Sequence, residues 1–135
     1  MGKIMLRKML KEAFAEFGAE MRKNTDGVFV VKYNSIEYFL DLNYDDETFC
    51  IIQVVMGPNG KLSQREFKIM MSVVKEFHPE CDGSWNGGYS YICSQWYGIK
   101  DEHGECSSAR LEKIFKDFFA IWTFACANAS LASQR

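Results

Sequence analysis

Apolar and polar positions follow helix-like and strand-like patterns along the chain. The segment Thr48–Met56, TFCIIQVVM, is apolar at almost every position and rich in β-branched side chains. Such a run is typical of a strand that is covered on both faces. A charged segment precedes it, and Gly57-Pro58-Asn59-Gly60 ends it. We therefore take this strand as the centre of the predicted sheet.

Three segments show apolar side chains at the three- and four-residue spacing of an amphipathic helix. The predicted helices are Lys3–Met21, Ser63–His78 and Ser107–Ala127. Ser63 and Glu66 fit a capping box at the start of the second helix. The last helix is apolar around more of its circumference than one core contact requires. This width predicts burial on two sides or contact with a partner.

Four further segments have strand-like patterns. Val28–Tyr33 and Ile36–Asn43 are separated by only two residues, so a tight hairpin is predicted. Cys81–Trp85 and Tyr89–Tyr97 flank Asn86-Gly87-Gly88 and form a second predicted hairpin. The order is helix, three strands, helix, two strands, helix. We expect an α+β fold with a mostly antiparallel sheet of about five strands and the helices packed on one face.

The bulk composition restricts the class of protein. With 135 residues, 47% of them apolar, the chain suits one domain over residues 1–135, with the residues after about 128 frayed. A net charge of −2 argues against nucleic acid as the main partner, because phosphate binding needs a basic face. No apolar run is long enough to cross a membrane. The N-terminal segment is too charged for a secretory signal, so we expect a cytoplasmic protein without membrane contact.

The first predicted helix carries an excess of positive charge. Residues 3–23 hold six basic and three acidic side chains, a local charge of +3. A solvated helix face explains this pattern most simply. The alternative is a helix that contacts a membrane surface or an acidic partner.

Five cysteines and two histidines are the candidates for site chemistry. The pairs His78/Cys81 and His103/Cys106 share a His-x-x-Cys spacing, and two such pairs could form a tetrahedral zinc site. Cysteines more often serve as small core residues, so we expect free buried thiols, no metal and no cofactor. The same pairs offer a thiol beside a base, but spacing alone does not make a nucleophile. No catalytic residue is predicted.

Methionines and aromatic side chains suggest a binding surface. Thioethers repack easily, and aromatic residues are enriched at interfaces. The predicted partner-binding residues are Met70, Met71, Val74, Tyr89, Tyr91, Trp96, Phe119 and Phe124. An alternative use of the aromatic residues is a small-molecule or catalytic pocket between sheet and helices, lined by Trp85, Tyr91, Trp96 and Trp122.

The element order from Lys3 to Ala127 resembles the fold of type III secretion chaperones, and it is similar to small bacterial domains of the sensory-transduction-regulator type. The resemblance covers nearly the whole chain and rests on element order and size. It implies an acidic, cytoplasmic, dimeric and non-enzymatic protein that binds extended segments of partner proteins. A pI near 5.7 agrees with this. We therefore expect a chaperone-like, protein-binding homodimer, with the aromatic pocket as the alternative.

Overall fold

The computed structural model describes residues 2–87 and 89–134, and its three helices and antiparallel sheet confirm the α+β class. Within these residues the elements follow the predicted order, with two strands more than expected. They are α1 (Lys3–Ala15), β1 (Glu20–Lys23), β2 (Phe29–Tyr33), β3 (Ile36–Asn43), β4 (Thr48–Val55), α2 (Gln64–Phe77), β5 (Asp82–Asn86), β6 (Tyr89–Cys93), β7 (Tyr97–Gly98) and α3 (Ser108–Ala132).

The strand order in the sheet is β1-β2-β3-β4-β6-β5, and β7 also pairs with β4. The chain divides into two compact units. Unit 1 comprises Met1–Ile51 and Trp96–Lys116, and unit 2 comprises Ile52–Gln95 and Asp117–Arg135. Each unit is described by itself below. The prediction of one domain stays a prediction.

The first helix ends earlier than its apolar spacing predicts, at Ala15 instead of Met21. Gly18 adopts a φ of +80°, a left-handed conformation that favours glycine. Its amide donates to the Ala15 carbonyl (3.2 Å), and the Ala19 amide donates to the Phe14 carbonyl (2.9 Å). This pair of bonds is a Schellman motif, which satisfies the last carbonyls of a helix and reverses the chain. The predicted last turn of the helix is therefore wrong, and β1 begins at Glu20.

Strand β1 forms one edge of the sheet and pairs antiparallel with β2, with Met21 opposite Val31 and Lys23 opposite Phe29. The tight hairpin between β2 and β3 is confirmed. Asn34 and Ser35 both have positive φ, 51° and 65°, as a type I′ turn requires.

Aromatic side chains make the core of unit 1. The Phe115 ring of α3 contacts the rings of Phe14 and Tyr38 edge-on, at centroid distances of 5.4 and 5.2 Å. The Tyr33 hydroxyl donates to a carboxylate oxygen of Glu112 (2.8 Å), a bond that raises the pKa of the tyrosine. Burial raises the pKa of Tyr38 to about 12. These contacts hold α1, β2, β3 and the start of α3 together.

Unit 2 contains α2 and the pairing of β6 with β5 and with residues 52–55 of β4. The predicted capping box at the start of α2 is confirmed. The Ser63 hydroxyl accepts from the Glu66 amide (3.1 Å), and the Glu66 carboxylate accepts from the Ser63 amide (2.9 Å). In α3 the helix continues to Ala132, beyond the predicted end at Ala127.

The second hairpin differs from its prediction at its far end. Strand β6 ends at Cys93, and a separate short strand, β7, follows at Tyr97. Cys93 lies opposite Ile52 and Tyr97 lies opposite Phe49, so three residues stand against two on β4. One extra residue interrupts the ladder, as in a β-bulge. Of the predicted turn, Gly87 has a φ of 65°, and Gly88 lies outside the described residues.

We expect Gly18→Ala to lower the free energy of unfolding by about 1–2 kcal/mol, the cost of a left-handed conformation for an L residue. No atom lies within 4 Å of a Cβ at this position, so the cost comes from the backbone alone. Gly18→Asn is the matched control and should lose less, because asparagine tolerates positive φ. Urea unfolding followed by circular dichroism measures both. Equal stability of Gly18→Ala and the native protein would contradict the assigned helix end.

Candidate functional site

Three of the predicted partner-binding residues lie in the interior of unit 2. Met70, Met71 and Val74 form the inner face of α2, and Met70 and Val74 are fully buried. Met71 packs closely enough on β5 that a Cβ on Gly83 would lie 2.8 Å from its sulfur. These three side chains therefore stabilise the core of unit 2, and a partner could reach them only if that core opened.

The other predicted partner-binding residues lie at or near the surface. Tyr89 and Phe119 of unit 2 are exposed, and Tyr91 and Phe124 are half-buried. Trp96, in unit 1, is half-exposed. Phe77, which sequence reasoning did not select, is 64% exposed, and its ring contacts that of Phe124 (5.5 Å). Unit 2 thus carries several exposed or half-buried aromatic side chains, which together are called the aromatic surface of unit 2 below.

The aromatic residues of the predicted pocket have structural partners. The Trp85 indole N–H donates to the Leu62 carbonyl (2.8 Å), and the Trp122 indole N–H donates to the Val54 carbonyl (3.0 Å). Both bonds use the polar atom that a ligand would otherwise contact. The aromatic pocket stays a prediction.

Trp96 lies beside a small polar depression in unit 1, about 350 Å³ in volume. Asp41, Asn43, Asp45, Tyr44 and Lys3 also line it. The Lys3 ammonium lies 5.3 Å from the centroid of the Tyr44 ring, so the chain itself supplies a cation beside these carboxylates.

The two His-x-x-Cys pairs do not meet as a zinc site. Within residues 2–87 and 89–134 there is no group of three His, Cys, Asp or Glu side chains that could hold a metal ion. His78 has Glu80 as a neighbour (3.8 Å) and His103 has Glu102 (3.6 Å).

The thiols of the same pairs are poorly suited to nucleophilic chemistry. Burial raises the pKa of Cys81 to about 11, and it also raises the pKa of Cys106. A raised pKa lowers the fraction of thiolate, which is the reactive form of cysteine. The five cysteines are free thiols, as the sequence predicts. Cys50 and Cys81 are buried as expected, whereas Cys93, Cys106 and Cys126 are partly exposed.

A groove of about 470 Å³ lies between α1, β1 and β2 in unit 1. This volume falls in the range of ordinary ligand pockets. Helix α1 and strand β1 form its two walls, and β2 contributes to its floor. Its lining residues are Ile4, Arg7, Lys8, Lys11, Met21, Arg22, Lys23 and Phe29.

The groove is apolar inside and basic at its rim. Met21 is almost fully buried and Phe29 is half-buried, whereas Ile4 at the open end is 76% exposed. The Arg7 guanidinium lies 5.9 Å and the Lys23 ammonium 5.2 Å from the centroid of the Phe29 ring. These cation–π contacts place a positive charge from each wall beside one aromatic ring.

Ion pairs neutralise only part of the positive charge at the rim of the groove. Lys8 pairs with Glu12 (4.0 Å) and Arg22 pairs with Glu37 (3.0 Å), both at exposed positions where such pairs stabilise little. Among the described residues, Arg7, Lys11 and Lys23 have no carboxylate partner. The groove therefore offers an apolar floor with three cations available to a ligand.

Sequence reasoning missed this groove because it placed Glu20 and Met21 in a helix and did not predict β1. The usable signal was Gly18 inside an otherwise helical pattern, since glycine commonly marks a helix end. The excess of basic residues in this segment was visible, but the groove exists only once β1 lies beside α1.

Comparisons with protein-family models, with curated proteins and with solved structures found no match. The resemblance to secretion chaperones therefore stays a prediction. None of the helices described here combines the length and apolar composition that a membrane span needs.

Proposed function

We propose that this protein is a small, non-enzymatic, chaperone-like module that binds a segment of a partner protein. The observation that carries this proposal is the groove between α1, β1 and β2, whose lining includes the half-buried Phe29 and the exposed Ile4. Apolar side chains of a partner would cover these groups. Covering one large apolar side chain contributes about 1.5–3 kcal/mol, so several such contacts, together with the charged contacts, are needed to exceed the cost of association.

The proposal includes a cytoplasmic setting, supported by the five free thiols. It also includes a homodimer formed through exposed apolar side chains of unit 2. Large apolar side chains exposed in this unit are Met56, Phe77, Tyr89, Phe119 and Leu131. The contact between the Phe77 and Phe124 rings (5.5 Å) shows that part of this apolar surface is continuous, and continuous exposed apolar patches are typical of association surfaces.

We expect at least one member of a panel of short fluorescent peptides to bind in a Phe29-dependent manner. The panel combines leucine with acidic, neutral or basic residues, and fluorescence anisotropy measures binding. Phe29→Ala should weaken the bound peptide about tenfold or more, because it removes most of the apolar floor. The neighbouring variant Val28→Ala is the control, since Val28 is exposed and lies outside the groove lining. A panel without any binder, or equal affinities for the two variants and the native protein, would contradict the proposal.

We expect sedimentation velocity across a dilution series to show a dimer that dissociates on dilution. The double variant Phe77→Ser, Phe119→Ser should shift the equilibrium toward monomer, because it removes apolar surface that the dimer would cover. Ile4→Ser is the matched control, being exposed in unit 1. A monomer at every concentration would contradict this part of the proposal.

A further inference from the structure

We propose that the groove selects partner segments in which carboxylates alternate with apolar side chains. This inference rests on the proposed function and adds the class of segment that is bound. Charge is distributed unevenly along the chain. Residues 3–23 carry six basic and three acidic side chains, whereas the remaining residues carry ten basic and fifteen acidic ones. The groove is lined from within this basic segment and from Phe29.

The free cations are placed on both sides of the apolar floor. Arg7 and Lys11 are four residues apart on α1, so their side chains share one face of the helix. Lys23 lies on β1, directly opposite Phe29 in the strand register. A segment lying along the groove would therefore meet cations at both walls and apolar surface between them.

The chemistry of these cations favours carboxylates. The Arg7 guanidinium presents a planar fork that matches a carboxylate with two parallel hydrogen bonds. The ammonium groups of Lys11 and Lys23 add point charges that reach a range of positions. Apolar side chains of the segment would contact Phe29 and the exposed Ile4. A segment that alternates carboxylates with apolar side chains can therefore meet both the cations and the apolar groups of the groove.

The acidic neighbours of the groove limit the other polyanions that could bind. Glu12 and Glu37 already pair with Lys8 and Arg22, and Glu16 and Glu20 are exposed nearby in sequence. A phosphate backbone or an anionic membrane needs a continuous basic surface. Separate carboxylates on a peptide can pair with individual cations and stay away from these glutamates. The apolar side chains of the same peptide can contact the apolar part of the groove.

The test uses the full chain and three short fluorescent peptides in which leucine alternates with glutamate, glutamine or lysine. Anionic phospholipid vesicles and single-stranded DNA of similar charge serve as competing probes. We expect the glutamate peptide to bind at least tenfold more tightly than the glutamine peptide at low salt, and the preference to shrink as salt screens the rim.

The double variant Arg7→Gln, Lys11→Gln should lower the ratio of glutamate-peptide to glutamine-peptide affinity several-fold, because Lys23 is then the remaining free cation of the groove. Lys23→Gln should reduce the preference by itself, which provides a second readout if the double variant is unstable. Lys61→Gln, Lys68→Gln is the matched control, since it removes the same charge from exposed positions in unit 2 and should keep the preference.

Equal affinity for the glutamate and glutamine peptides would overturn this inference and leave the proposed function standing. Tighter binding to vesicles or DNA that requires Arg7 and Lys11 would also overturn it, since the occupant would then be a lipid surface or a nucleic acid. Failure of all three peptides to bind would remove the proposed function and this inference together.

Discussion

Helix α1 ends at Ala15, and Gly18 reverses the chain just after it. The left-handed backbone conformation of Gly18 would cost another residue about 1–2 kcal/mol. Two hydrogen bonds across Gly18 satisfy the last carbonyls of α1 and turn the chain back. The residues that follow then pair with β2 as the edge strand of the sheet. If α1 continued to Met21, this side chain would project from a helix, Glu20 and Met21 could not pair with β2, and the groove would not form. The candidate binding site thus depends on one local backbone conformation.

The aromatic core of unit 1 keeps this arrangement in place. Phe14 of α1 and Tyr38 of β3 both pack against Phe115, so α1 is fixed against the sheet. Strand β2, which carries Phe29, pairs with β3 and is held in the same arrangement. The Tyr33 hydroxyl adds a hydrogen bond to Glu112. This bond raises the pKa of Tyr33, so the hydroxyl keeps its proton, and stays a donor, to a higher pH than in a free tyrosine. Positions that are fixed before binding reduce the entropy lost when a partner binds.

Local sequence patterns were sufficient to predict features formed by residues that lie close together in sequence, such as the β2–β3 hairpin and the capping box of α2. They failed where apolar spacing does not distinguish one continuous element from an interrupted one. Strand β1 was missed because helical spacing continues past Gly18, and β7 because an extra residue interrupts a continuous aromatic run. Periodicity also shows which side chains share a face but not what covers that face. Met70, Met71 and Val74 were therefore assigned to a surface, although they lie in the core of unit 2.

The most direct test of this account is to map the bound peptide by nuclear magnetic resonance. Amide chemical shifts of the isotope-labelled protein would be followed while the leucine–glutamate peptide is added. The account predicts saturable shift changes concentrated in Lys3–Ala15, Glu20–Lys23 and Phe29–Tyr33. Changes concentrated in α2 and the aromatic surface of unit 2 would contradict it, because the peptide would then bind away from the groove.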